Sequence, residues 1–107
     1  MRTIYAVIVH WASEKDQDVG VSLFEDFDRA NEYFHQFIQD EKEVKNEWDS
    51  DLFDENGNLI EEEAGGITLD IQEVTKENIS ILHNGYWKIS DEYGNFTFIT
   101  LEPKTVA

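Results

Sequence analysis

Between Phe27 and Trp48 the apolar side chains recur at a single spacing. Phe27, Ala30, Phe34, Phe37 and Ile38 fall at i, i+3, i+7, i+10 and i+11, and Val44 and Trp48 extend the series. That period marks one face of a long α-helix. Asp26 stands just ahead of it, where a carboxylate can cap the first backbone N–H groups. The opposite face carries Asp28, Glu32, Gln36, Gln39, Glu43 and Glu47. Asp28 and Glu32 sit four residues apart with no lysine to offset them, a mildly unfavourable pairing. One amphipathic helix cannot enclose a core alone, so it must lie across a sheet.

The rest of the chain supplies that sheet. Thr3 to Ala12, TIYAVIVHWA, is nearly continuous in β-prone apolar residues and predicts a central strand covered on both faces. Ser13 to Asp18 is a polar turn, and Val19 to Phe24 completes a hairpin. After the helix, Leu52-Phe53 and Leu59-Ile60 can pair around Asn56-Gly57, a dipeptide suited to a type I′ turn because both central residues need positive φ. Ile67 to Val74 alternates as a half-buried strand. Ile79 to His83 is a further short apolar run, and Asn84-Gly85 a second turn signal. Tyr86 to Ser90 and Phe96 to Leu101 flank a turn at 91–95, and Pro103 ends the last strand. The expectation is an α+β fold: an antiparallel sheet of about five to six strands with one long amphipathic helix on one face, in the order β-β-α-hairpin-β meander. Residues 1–107 form a single domain, with 40–63 as an acidic sub-region. One helix leaves the second sheet face bare, so a homodimer through that face is a candidate assembly.

Charge narrows the function. Twenty-four acidic against eight basic residues give a net charge of −16. No direct nucleic-acid binding and no membrane binding are expected, because both need clustered Lys and Arg. Residues 40–63 hold eleven acids and two bases, a net −9 in 24 residues. The chain has no cysteine, which removes disulfides and thiolate metal sites. The N-terminal apolar run is too short to span a bilayer, and a cytoplasmic protein is expected.

Two sets of residues offer candidate chemistry. LFDENGNLIEEE, Leu52 to Glu63, matches a twelve-residue calcium loop from its third position on, with Asp54, Asn56 and Glu63 as ligands. Its first position is Leu52, where such a loop needs Asp, so the hairpin reading is preferred. His10, His35 and His83 fall on a strand, a helix and a turn, without metal-ligand spacing. No catalytic constellation and no cofactor are expected, and the protein reads as a non-enzyme. The candidate site is instead an acidic surface for a basic protein partner: Asp28, Glu32, Glu43, Glu47, Asp49, Asp51, Asp54, Glu55, Glu61, Glu62 and Glu63. In its sharpest form this is a nucleic-acid-mimicking inhibitor. The alternatives are a weak calcium-binding loop and a small ligand-binding or self-associating domain.

Tyr5, Val7, Val9 and Trp11 followed by Ala12-Ser13-Glu14, then Phe24, Asp26, Ala30, Phe34, Ile38 and Glu41-Lys42, form a pattern that resembles small acidic proteins of bacterial genomes and their mobile elements. The Phe53-Asp54-Glu55 turn and the closing Tyr86-Trp87 strand belong to it too. The resemblance covers most of the chain and rests on structural motifs. It implies no catalytic residues; many such proteins bind and inhibit a larger one.

Overall fold

A computed structural model describes residues 2–48 and 52–106. Its elements are β1 (Arg2–Ala12), β2 (Gln17–Phe24), α1 (Phe27–Trp48), a 3₁₀ turn (Glu61–Glu63), β3 (Thr68–Gln72), β4 (Gly85–Ser90) and β5 (Phe96–Val106). The five strands form one antiparallel sheet in the order β2-β1-β5-β4-β3. The α+β class is as expected. The β3-β4-β5 meander then closes onto β1, which pairs with β5 from Arg2↔Val106 to Ala12↔Phe96.

The helix begins where its cap predicts. Asp26 Oδ1 accepts a hydrogen bond from Asp28 N–H at 3.0 Å, and the Asp26 carbonyl accepts from Ala30 N–H at 3.1 Å. Phe27, Ala30, Phe34 and Ile38 are buried on one sheet face, in a cluster with Val7, Trp87, Ile89, Ile99 and Leu101. Leu52 and Phe53 of the hairpin complete that core. Each large side chain so buried stabilises the fold by about 1.5–3 kcal/mol before ordering entropy is subtracted.

Several local expectations need correction. The last strand does not end at Pro103 but runs on to Val106, with Pro103 opposite Tyr5. β4 reaches only as far as Gly85 opposite Leu101, so past Leu101 one side of β5 has no ladder to interrupt. The apolar run Ile79 to His83, for which no strand was expected, lies outside the five strands. It is a tip closed by a single Ser80↔His83 bridge, with Leu82 98% exposed. Gly85 is not a turn residue either. It is buried at the start of β4, where an added Cβ would stand 3.0 Å from Val74 Cγ2.

The 52–60 hairpin forms, with Phe53 opposite Leu59. Its turn is not the two-residue type. Gly57 N–H donates to the Asp54 carbonyl at 2.9 Å, so Glu55 and Asn56 are the central residues. Gly57 follows them at φ +80°, the glycine position of a three-residue hairpin loop. Lastly, β1 lies inside the sheet, but its second face carries no covering layer among the described residues. Ile4, Ile8 and His10 on that face are half-buried by their cross-strand neighbours alone.

Candidate functional site

The acidic surface is assembled by two side chains of α1. Asn46 Nδ2 donates to the Phe53 carbonyl at 3.0 Å, and Asn46 Oδ1 accepts from Phe53 N–H at 2.7 Å. Lys42 Nζ donates to the Gly57 carbonyl at 2.9 Å and lies 5.6 Å from the centre of the Phe53 ring. These contacts fix the hairpin against the C-terminal half of the helix. They also engage Lys42, one of the two bases within residues 40–63.

Glu43 and Glu47 are exposed on the helix next to those anchors, and Asp54 and Glu55 are exposed on the turn that they hold. Glu61 and Glu63 are exposed on the 3₁₀ turn that follows. Glu63 then borders a depression shared with Gly66, Asp91 and Glu92. Asp28 and Glu32 are exposed on the same helix, but Glu43 comes eleven positions after Glu32, about 16 Å along the axis at about 1.5 Å per residue. The structure thus gathers Glu43, Glu47, Asp54, Glu55, Glu61 and Glu63 at one end and leaves Asp28 and Glu32 apart. Asp49, Asp51 and the side chain of Glu62 lie outside the described residues. The ion pairs among the described residues, Arg2–Glu25 and Lys104–Glu102, involve none of these acids.

Asp91 and Glu92 join this end, and the signal for them was a repeat. DENGN at 54–58 and DEYGN at 91–95 are the same pentapeptide but for one residue. They fold alike. Asp54 Oδ1 accepts from the N–H groups of Asn56 and Asn58, both at 2.9 Å. Asp91 Oδ1 accepts from Tyr93 at 2.8 Å and Asn95 at 3.0 Å. The fourth residues, Gly57 and Gly94, have φ of +80° and +88°. Asn95 Nδ2 also donates to Asp91 Oδ2 at 2.7 Å. That side-chain bond is the main reason the Asp91 carboxyl titrates below its ordinary value, reinforced by the two backbone donors and the charge of Lys45 against the opposing effect of burial. Asp54 therefore serves first as a turn-former, with one oxygen committed to its own loop.

The three residues of the calcium reading do not form a loop between two helices: Asp54 and Asn56 sit in the hairpin and Glu63 on the following 3₁₀ turn. Among the described residues no cluster of three His, Asp or Glu side chains is arranged to hold a metal ion. A cleft of about 270 Å³ opens between α1 and the edge of the sheet, lined by Val7, Val9, Trp11, Gly20, Tyr33 and Phe37. It falls just short of the roughly 300–1,000 Å³ of small-molecule sites. Of the described helices, none is long and apolar enough to cross a membrane. Comparison with known proteins finds no matching family model, no similar curated protein and no similar solved structure.

Proposed function

We propose that the protein is a non-catalytic interaction module that binds a positively charged protein surface through its helix–hairpin end. The observation that carries this reading is the anchoring of the hairpin by Asn46 and Lys42. It holds the backbone that carries Asp54 and Glu55 against the helix that carries Glu43 and Glu47, with Glu61 and Glu63 on the turn that follows. A preorganised array of one sign steers and holds an oppositely charged partner at low ordering cost.

Nucleic-acid mimicry is the finer form of this proposal, and charge density sets its terms. From Asp28 to Glu47 the helix spans about 28 Å, and its outer acids, Asp40 included, come to roughly one charge per 6 Å. A duplex presents one per about 1.7 Å. The helix alone is too sparse to replace a duplex; the hairpin and the 91–95 turn must supply the rest. The target is then a compact basic pocket rather than a long groove.

Capture from a lysate of the organism that carries the protein tests the reading. The partner should be basic, should leave the complex as salt rises above about 0.15 M, and should be displaced by added duplex DNA. A protein with Glu43, Glu47, Glu55 and Glu61 changed to Gln should capture far less of it. Capture that is indifferent to salt and to these substitutions sinks the proposal.

A further inference from the structure

β2 is patterned the reverse of what a strand beside a helix would show. Pairing with Val9 and Val7 places Gly20 and Ser22 on the helix-facing side. Val19, Val21 and Leu23 point the other way, 56%, 59% and 62% exposed. They are not isolated. Val21 lies beside Ile8, then Thr100 and Tyr86 across the sheet; Val19 lies beside His10, then Phe98 and Lys88. Lys88 Nζ sits 5.2 Å from the Phe96 ring and 5.5 Å from the Phe98 ring, and Tyr86 packs edge-on to Phe98. A contiguous apolar and aromatic face of this kind marks an interface rather than scattered surface hydrophobes.

The charges on this face differ from those on the rest of the molecule. Arg2, Lys88 and Lys104 stand against Asp70, Glu102 and, just past β2, Glu25, which pairs with Arg2. Three bases meet three acids, so the face is neutral in a chain of net charge −16. A basic partner gains no attraction here. A second copy meets no excess of like charge at the contact itself, and with the acidic helices on the two outer sides of the assembly only a longer-range repulsion remains, which salt screens. The area also fits. The strands hold 11, 8, 5, 6 and 11 residues, and at about 3.3 Å per residue and about 4.8 Å between strands they cover roughly 650 Å². Standard stable interfaces bury about 600–1,000 Å² per partner, and the face lies at the lower end of that range.

We propose that the helix-free sheet face binds a second copy of this chain, with the two sheets packed face to face about a two-fold axis. Val21, Ile8, Phe98 and Tyr86 form the middle of the contact.

Sedimentation velocity on the full chain over a range of concentrations, at about 0.15 M and about 1 M salt, tests the proposal. The expected species has twice the 12.5 kDa chain mass. Self-association should strengthen with salt, because screening relieves the repulsion between two acidic bodies. Val21→Asp should weaken it at least about tenfold by burying an uncompensated charge, and Leu23→Lys should do the same. Both residues are exposed in the single chain, so the far-UV circular dichroism of either variant should match the parent. Glu43→Gln/Glu47→Gln should leave the dimer intact. A mass of 12.5 kDa at every concentration and both salts overturns the proposal, as does a dimer that survives both sheet-face substitutions. Since partner capture weakens with salt and self-association strengthens, the two proposals fail separately.

Discussion

Asn46 holds Phe53 by both of its backbone groups, donating to the carbonyl and accepting from the N–H. Phe53 is buried, so neither group has water as a ready substitute. Asn46→Ala removes both bonds and leaves both groups without that partner, at a cost of about 2 kcal/mol. For a chain of this size the melting temperature should fall by roughly 8–15 °C. Thermal or urea unfolding measures it, and a loss under about 0.5 kcal/mol would show that the hairpin is held by packing alone.

The two DExGN turns offer a matched pair of glycine substitutions. Gly94→Ala meets no neighbour within 4 Å and suffers only the backbone strain of φ +88°, about 1–2 kcal/mol. Gly57→Ala bears a similar strain and brings its Cβ to 3.2 Å from Lys42 Nζ, disturbing the bond from Lys42 to the Gly57 carbonyl. Gly57→Ala should therefore be the more destabilising in urea titration. Equal losses would mean that the Lys42 contact contributes nothing.

Asp91 gives the fold an acid-sensitive contribution. Its folded pKa lies below the ordinary carboxyl value of 3.8, chiefly because Asn95 donates to the charged form. The unfolded chain thus binds the proton more readily than the folded one. The contribution is fully present above the unfolded value and disappears as pH falls through the folded one. The stability gap between the parent and Asp91→Ala should be widest at neutral pH and should narrow below 3.8. A gap that widens on acidification contradicts the assignment.

Calcium at millimolar concentration should leave the melting temperature unchanged. Asp54 already spends Oδ1 on two backbone donors, and the hairpin fixes the loop against rearrangement around an ion. Calorimetric titration checks this directly. Binding heat abolished by Asp54→Asn or Glu63→Gln would revive the ion-binding reading.

The helix was legible in the sequence because capping and 3.6-residue spacing are local. Asp26, Phe27, Ala30, Phe34 and Ile38 each do what their positions imply. The β1–β2 hairpin was legible for the same reason. What escaped depends on distant partners. Ile79 to His83 is apolar, yet Ser80 and His83 bond to each other rather than to a strand, and the segment stays outside the sheet as a tip. Pro103 reads as a stop unless it is known that β4 no longer flanks β5 there. The outward orientation of Val19, Val21 and Leu23 follows from the side on which α1 lands, which β2 itself does not encode. At the candidate site, Glu43 and Glu47 were visible as one helix face. Their union with Asp54 and Glu55 required the Asn46 contacts, and Asp91 and Glu92 required notice of the repeated turn.

The pairing of β1 with β5 has a bearing on how the chain comes to exist. Residues 2–12 find their long partner only in residues 96–106. During synthesis, N-terminus first, β1 and β2 can join and α1 can wind while one edge of β1 waits for the last strand to emerge. Such distant pairing makes folding slow and leaves an open strand edge that invites neighbouring chains. The stretch of net −9 at residues 40–63 emerges during that wait. Charge of one sign in that stretch opposes contact between like chains while the edge of β1 is open.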